Sequence, residues 1–259
     1  PCLTRGQLMG QIMRNYQMPI GISGTHGKTT TTSMVSEILI HANLDPTLTV
    51  GGILKDIDGN IRIGKSGYFV AEACEYTNSF LDFAPRIGII LNISADHLDF
   101  FKDLADIRRS FRKYAELLPE DGCLIINGEI ENLSEITDGL SAPVVTFGHS
   151  AASDYYPADI CYDGFGNPSF ILHGPEGKER RFTLRVPGEH NIFNAMAAIA
   201  LADRLSIEDA VIIEALKAYK GTDRRFEYKG AVGGVTVIDD YAHHPEEITA
   251  TLKAARNYP

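Results

Sequence analysis

The stretch "GISGTHGKTTTTSM", residues 21–34, decides the fold of this 259-residue chain. It follows a short apolar run, "MPIGIS" (18–23), and precedes Met34, Val35, Ile38, Leu39 and Ala42, which recur at helical spacing. A glycine-rich turn between strand and helix points successive N–H groups inward, and the helix N-terminus adds its positive dipole end. Such a loop favours a polyphosphate. Gly24, Thr25, His26, Gly27, Lys28, Thr29 and Thr30 would line it, with Lys28 reaching the β/γ-phosphates and the Thr29 hydroxyl placed to ligate Mg2+. The common phosphate-loop pattern has glycine where this chain has Ile22, so the loop is a shortened variant. A glycine turn that merely starts a helix is the plainer alternative, and Gly-Lys-Thr-Thr directly after a strand argues against it.

Outward from the loop, "GYFVAEACEY" and "RIGIILNISADHLDF" read as buried strands with polar C-terminal ends, followed by helical "LADIRRSFRKYAELLP". "GCLIINGE" and "PVVTFGHS" are again strand-like, with a short helix between them. This alternation predicts an α/β fold of the P-loop type: a doubly wound, mainly parallel sheet with helices on both faces and ligands at the C-terminal strand ends. Glu72, Asn92, Asp96 and His97 then fall near the loop. Near residue 158 the pattern changes, with turn signals and alternating Phe182, Leu184 and Val186, which predicts a small antiparallel β element. "GEHNIFNAMAAIALADRLS" and "IEDAVIIEALKAY" return to helical spacing, and the segment from Gly221 starts a fresh strand, loop and helix. Two units are expected, 1–221 and 222–259. The second is too small to bury a core of its own, so it packs onto the first or belongs to a larger domain.

The formal net charge of -10 argues against broad binding to nucleic acid or anionic membrane. With 44% hydrophobic and 22% charged residues, nothing suggests disorder. No apolar stretch approaches the ~20 residues that span a bilayer, and no secretion signal opens the chain. Cys2, Cys74, Cys123 and Cys161 are scattered with no C-x-x-C pair, so they indicate neither a zinc site nor a disulfide framework and fit a reducing cytosol; buried, small-hydrophobe roles are expected for all four. Oligomeric state is not legible.

The polar clusters carry the chemistry. Hydroxyl, carboxylate and imidazole from Thr29, Glu72, Glu75 and His97 suit one or two Mg2+ ions, although each could be a solvated loop residue. His190, Asn191 and Asn194 stand at a helix start, where amides contact a ligand or simply cap. Arg224 and Arg225 lie between the two units, where a guanidinium could approach a transferred phosphoryl group. In "DDYAHHP", Asp240 and His244 follow a strand; adjacent histidines lack the i, i+4 spacing of a zinc helix, which favours a nucleotide or substrate contact there.

In the order "GTHGKTTTTSM", "EACEYTNSFL", "LNISADHLDFF", "GEHNIFNAMAAIA", "GTDRRFEYKG", "VIDDYAHHP", the chain resembles the Mur ligases over nearly its whole length. The resemblance implies a central ATPase domain followed by the start of a C-terminal domain, with ATP and Mg2+ as cofactors. It implies a cytoplasmic enzyme that converts the carboxylate of UDP-N-acetylmuramate to an acyl phosphate and lets the amine of L-alanine attack. A recycling ligase using an intact tripeptide is the nearest alternative, and a non-catalytic ATP-binding module the other. By the same resemblance, Lys28 stabilises the γ-phosphate, Thr29 and Glu72 hold the first metal, and His97 holds the second. Gly24, Thr25, His26, Gly27, Thr30, His190, Asn191, Asn194, Asp240 and His244 contact nucleotide, and Arg224 or Arg225 supplies the interdomain arginine. Several relatives use a carbamylated lysine; Arg112 and Lys113 fall near that place, and no counterpart is assigned.

Overall fold

The computed structural model describes residues 2–256 and 258. Helix α1 (Arg5–Met13) leads into β1 (Met18–Ser23), the loop, and α2 (Lys28–His41). Strands β2 (Thr47–Leu54), β3 (Gly59–Arg62), β4 (Tyr68–Glu72) and β5 (Ile87–Ile90) follow, then α3 (Leu104–Ala115), β6 (Cys123–Asn127), α4 (Ser134–Thr137) and β7 (Val144–Phe147). The seven strands form one sheet in the order β3-β2-β4-β1-β5-β6-β7. All neighbours are parallel except β2 and β3. With β1 at the centre and its two partners wound in opposite directions, the loop after β1 opens at the topological switch point.

Strand alternation builds the layers. Ile20 and Ile22 of β1 and Ile87 and Ile89 of β5 face Met34 and Ile38, whereas Phe69, Ala71, Ile90 and Leu124 face Phe111, Tyr114 and Met13 on the other side. Gly21 leaves room for Tyr114, whose hydroxyl donates to the Gly21 carbonyl at 2.9 Å. An antiparallel sheet of β8 (Tyr156–Tyr162), β9 (Pro168–His173) and β10 (Glu179–Thr183) is the small β element. Helices α5 (His190–Arg204) and α6 (Asp209–Ala218) then pack on α2.

Three expectations need correcting. The last segment is not a single strand: β11 (Glu227–Val232) and β12 (Val235–Asp239) form a hairpin before α7 (Pro245–Arg256). Gly233 and Gly234 turn it with φ of 58° and 79°, the positive values that a two-residue hairpin of this hand requires. Strands β2 and β3 also went unread, because Gly51 and Gly52 interrupt the apolar pattern of β2. Of the cysteines only Cys123 is buried; Cys74 is half-buried, and Cys2 and Cys161 are exposed.

Lying between sheet and α5, α2 buries hydroxyls as well as hydrophobes. Ser33 and Ser36 donate to the carbonyls of Thr29 and Thr32 one turn back, so their burial leaves no lone donor. Thr32 Oγ1 and Glu37 Oε2 are the exceptions, neither with a hydrogen bond among the described residues, although Glu37 Oε2 faces His41 Nδ1 at 3.6 Å. Burial, and then the neighbouring Asp56, push the Glu37 carboxyl up to about 8. The folded state therefore keeps a proton that the unfolded chain loses near pH 4.5, and stability falls as pH rises through that window to about 8. Each pH unit costs up to about 1.4 kcal/mol. Glu37→Gln is expected to flatten this slope, its melting temperature gaining on the parent between about pH 6 and pH 8 in thermal melts; parallel curves would refute it.

Candidate active site

The loop's shape comes from its glycines and from β5. Gly24 and Gly27 adopt φ of 139° and 83°, and a Cβ at Gly27 would stand 2.5 Å from Asn194 Oδ1. Asn92, just beyond β5, clamps the loop: its Oδ1 accepts from the His26 N–H at 2.8 Å and its Nδ2 donates to the His26 carbonyl at 3.0 Å. Ser94 N–H donates to Thr25 Oγ1 at 2.9 Å. Gly27 begins α2 with no side-chain cap. The first-turn amides of α2 therefore remain available to an anion, and the loop fits a phosphate group.

Lys28 Nζ folds back over the loop, donating to the carbonyls of Gly24 at 2.5 Å and Thr25 at 3.1 Å and to both Glu75 oxygens at 3.0 and 3.2 Å. Glu75, among the candidate metal ligands from the sequence, is buried as the partner of this lysine. Thr29 Oγ1 donates to Glu72 Oε2 at 3.3 Å, and the Gly51 N–H donates to Glu72 Oε1 at 2.5 Å. Burial raises the Glu72 carboxyl, and the bonds from Gly51 and Thr29, with Lys28 and Arg225 nearby, oppose the rise. A carboxylate and a hydroxyl side by side are hard oxygen donors that fit Mg2+. His97 takes a left-handed conformation with φ of 53°. Its ring lies 4.5 Å from that of Tyr76, and its Nε2 is 3.9 Å from Glu75 and 3.8 Å from Asp96.

The two arginines share the Tyr241 ring, with the Arg225 guanidinium 5.4 Å from its centroid, and differ in what else they reach. Arg225 is half-buried and reaches Thr29 Oγ1 at 3.5 Å. Arg224 is exposed and lies over the Tyr241 ring at 4.7 Å, so the structure does not bring it to the loop. A cavity of about 330 Å3 opens beside the loop, lined by Gly27, Thr30, His190, Asn191, Asn194 and Asp240. That volume is at the lower end for a small-molecule site, ~300–1,000 Å3. The asparagine amides are already engaged: Thr31 donates to Asn194 Oδ1, Asn194 Nδ2 to Asn191 Oδ1, and Asn191 Nδ2 to the Pro187 carbonyl. Asp240 accepts from the backbone N–H groups of Phe226 and Ala242, which shapes the crossing between the two units.

His244 lies against the loop itself, its ring 4.6 Å from that of His26. Glu246 and Glu247 of α7 approach His26 at 3.5 and 3.2 Å. Neither glutamate was singled out from the sequence, because acidic residues in the first turn of a helix are ordinary complements to its dipole. The aromatic wall of the cavity was missed too: the Phe193 ring lies tilted against His149 with centroids 4.2 Å apart, and His149 bonds Glu129. His149 and Glu129 are polar loop residues with no sequence signal beyond their place after strands.

Comparison with known proteins agrees with this architecture. Residues 22–202 match the sequence profile of the Mur ligase middle domain, and residues 224–259 that of the Mur ligase glutamate ligase domain. The chain is 56% identical over 259 residues to UDP-N-acetylmuramate--L-alanine ligase of Agathobacter rectalis, covering all of this chain and 56% of the relative. The corresponding ligase of Caldanaerobacter subterraneus is 49% identical over all of this chain and 56% of its own length. Among solved structures, the UDP-N-acetylmuramate-alanine ligase MurC of Thermotoga maritima superimposes with a TM-score of 0.83 at 32% identity, over 96% of this chain and 56% of that one. The murein peptide ligase of Psychrobacter arcticus gives 0.78 at 29% identity, over 97% and 57%. The chain thus spans little more than half the length of the relatives it matches. No helix among the described residues is long and apolar enough to cross a membrane. With a phosphate loop at the switch point of its sheet and the middle-domain profile matched over most of its length, the chain belongs to the Mur ligase family.

Proposed function

We propose that this chain carries the ATP-binding core of a ligase that joins L-alanine to the carboxylate of UDP-N-acetylmuramate, forming ADP and phosphate. The observation that carries the reading is the uncapped start of α2 beside the Thr29–Glu72 pair, with Lys28 above the loop. The names of the 56% and 49% identical relatives support the choice of substrates. A division into units at 1–221 and 222–259 belongs to the same proposal, as does a cytoplasmic setting.

A carboxylate is a poor acyl donor, and transfer of a phosphoryl group to it supplies the leaving group that an amine then displaces. Loop amides and the Lys28 ammonium hold the transferring phosphate and match the charge that develops on it. Glu75 keeps that ammonium in reach, since a buried carboxylate would otherwise stand unpaired. Thr29 and Glu72 would hold Mg2+, which when bound offsets charge on the β- and γ-phosphate oxygens. His97 is proposed for a second metal. Arg225, by its reach to Thr29, supplies a guanidinium to the same phosphate; His190, Asn191, Asn194 and Asp240 shape the nucleotide cavity.

Phosphate release and product mass test the reading, with full-length protein, ATP, Mg2+ and UDP-N-acetylmuramate, and with L-alanine or the tripeptide added in separate tubes. A product heavier by one alanyl residue is expected. Dependence on the tripeptide would move the chain to the recycling activity, for which the likeness to the murein peptide ligase gives a precedent. No release with either would leave an ATP-binding module.

A further inference from the structure

Where α7 meets the phosphate loop, donor atoms of His26, His244 and Glu246 all lie within 4.8 Å of one another. Among the described residues the hydrogen bonds leave one nitrogen of His26 without a partner and hold one nitrogen of His244 only by a long bond. His26 Nδ1 faces Glu247 Oε1 at 3.2 Å, while its Nε2 is buried, has no hydrogen-bond partner, and points toward Glu246 Oε2 at 3.5 Å. His244 Nε2 bonds the Ala95 carbonyl at 3.3 Å, and its Nδ1 accepts a long hydrogen bond, 3.4 Å, from the Glu246 N–H, which an ion would displace. Glu246 Oε2 in turn accepts from Ser94 Oγ at 2.8 Å.

This is the arrangement of a histidine metal site: one ring nitrogen donates to a carboxylate or carbonyl, fixing tautomer and orientation, and the other carries a lone pair toward the ion. We propose that His26, His244 and Glu246 form a Zn2+ site that fastens the phosphate loop to the first turn of α7. Two imidazoles and one carboxylate are a donor set that zinc takes with a fourth position left open. Here that position is free for water or for an anionic oxygen of whatever fills the adjoining cavity, which His26 and Glu246 also line. Tetrahedral zinc draws its donors closer than 4.8 Å, and Glu246, whose side chain is 61% exposed, has the freedom to swing inward. The site is distinct from the Thr29–Glu72 oxygen pair: nitrogen donors select zinc, and the hydroxyl–carboxylate pair selects magnesium. It couples the two units without requiring substrate, and it does not depend on which ligation the protein performs.

Titration with Co2+, a spectroscopic stand-in for Zn2+, tests the proposal in the nucleotide-free protein. An intense visible absorption of tetrahedral Co2+ is expected at one equivalent and should be discharged by Zn2+. His26→Gln and His244→Gln should each abolish it, with folding checked by circular dichroism, and Glu246→Gln should weaken it about 10-fold or more. His243→Gln should leave it intact, because that ring is exposed and its Nδ1 faces the Tyr241 carbonyl. No tetrahedral band, a band indifferent to His26, or one lost with His243 would overturn the assignment.

Discussion

Lys28→Ala lowers ATP-dependent phosphate release by about 10²–10³-fold in the full-length protein, the expected result of removing one preorganised charge from a phosphoryl-transfer site. The geometry predicts a second effect. Glu75 is 3% exposed in its side chain, and its contact with the lysine is 3.0 Å, so truncating the lysine leaves a buried carboxylate without its partner. Breaking such a pair costs about 3–5 kcal/mol of stability. A loss of turnover could then reflect unfolding alone, and the double variant Lys28→Ala/Glu75→Ala separates the two causes. It should recover much of the melting temperature and none of the phosphate release. Recovery of turnover in the double variant, or near-parental turnover in the single one, would remove Lys28 from the chemistry.

The paired arginines give the second large effect. Arg225→Ala is expected to reduce phosphate release by about 10²-fold or more, in line with guanidinium groups that meet a transferring phosphate. Arg224→Ala should stay within a few-fold, since an exposed cation stacked over Tyr241 contributes about 0.5–1 kcal/mol. Sequence offers no means of ranking two adjacent arginines. The structure ranks them because, although both guanidinium groups lie over the Tyr241 ring, Arg225 is half-buried and reaches Thr29 while Arg224 is exposed. Equal losses at both positions, measured by steady-state phosphate release, would contradict that ranking.

Much of the fold was legible because its signals are local. The run 18–23, the glycines, and the spacing of Met34, Val35, Ile38 and Leu39 each state a backbone preference within a few residues, and β1 and α2 begin and end where those preferences change. The hairpin of β11 and β12 is equally local, its Gly-Gly turn flanked by Val232 and Val235. The β2 strand was harder: it pairs β4 through backbone groups, and Gly51 exists to bring its N–H against Glu72, a reason visible only once the strands are side by side.

The sequence by itself determined the parallel α/β sheet and the glycine loop that opens between its central strand and α2, because a strand–glycine–helix unit carries its geometry in its own backbone. Only the tertiary structure decided which partner each charge takes. It gave Lys28 to Glu75, turned His97 toward the same Glu75, brought Arg225 to Thr29, and set His26 against His244 across 218 positions of chain. Side-chain pairing depends on distances of 3–4 Å between groups remote in sequence, and those distances exist only after the sheet has closed and α7 has packed against the loop.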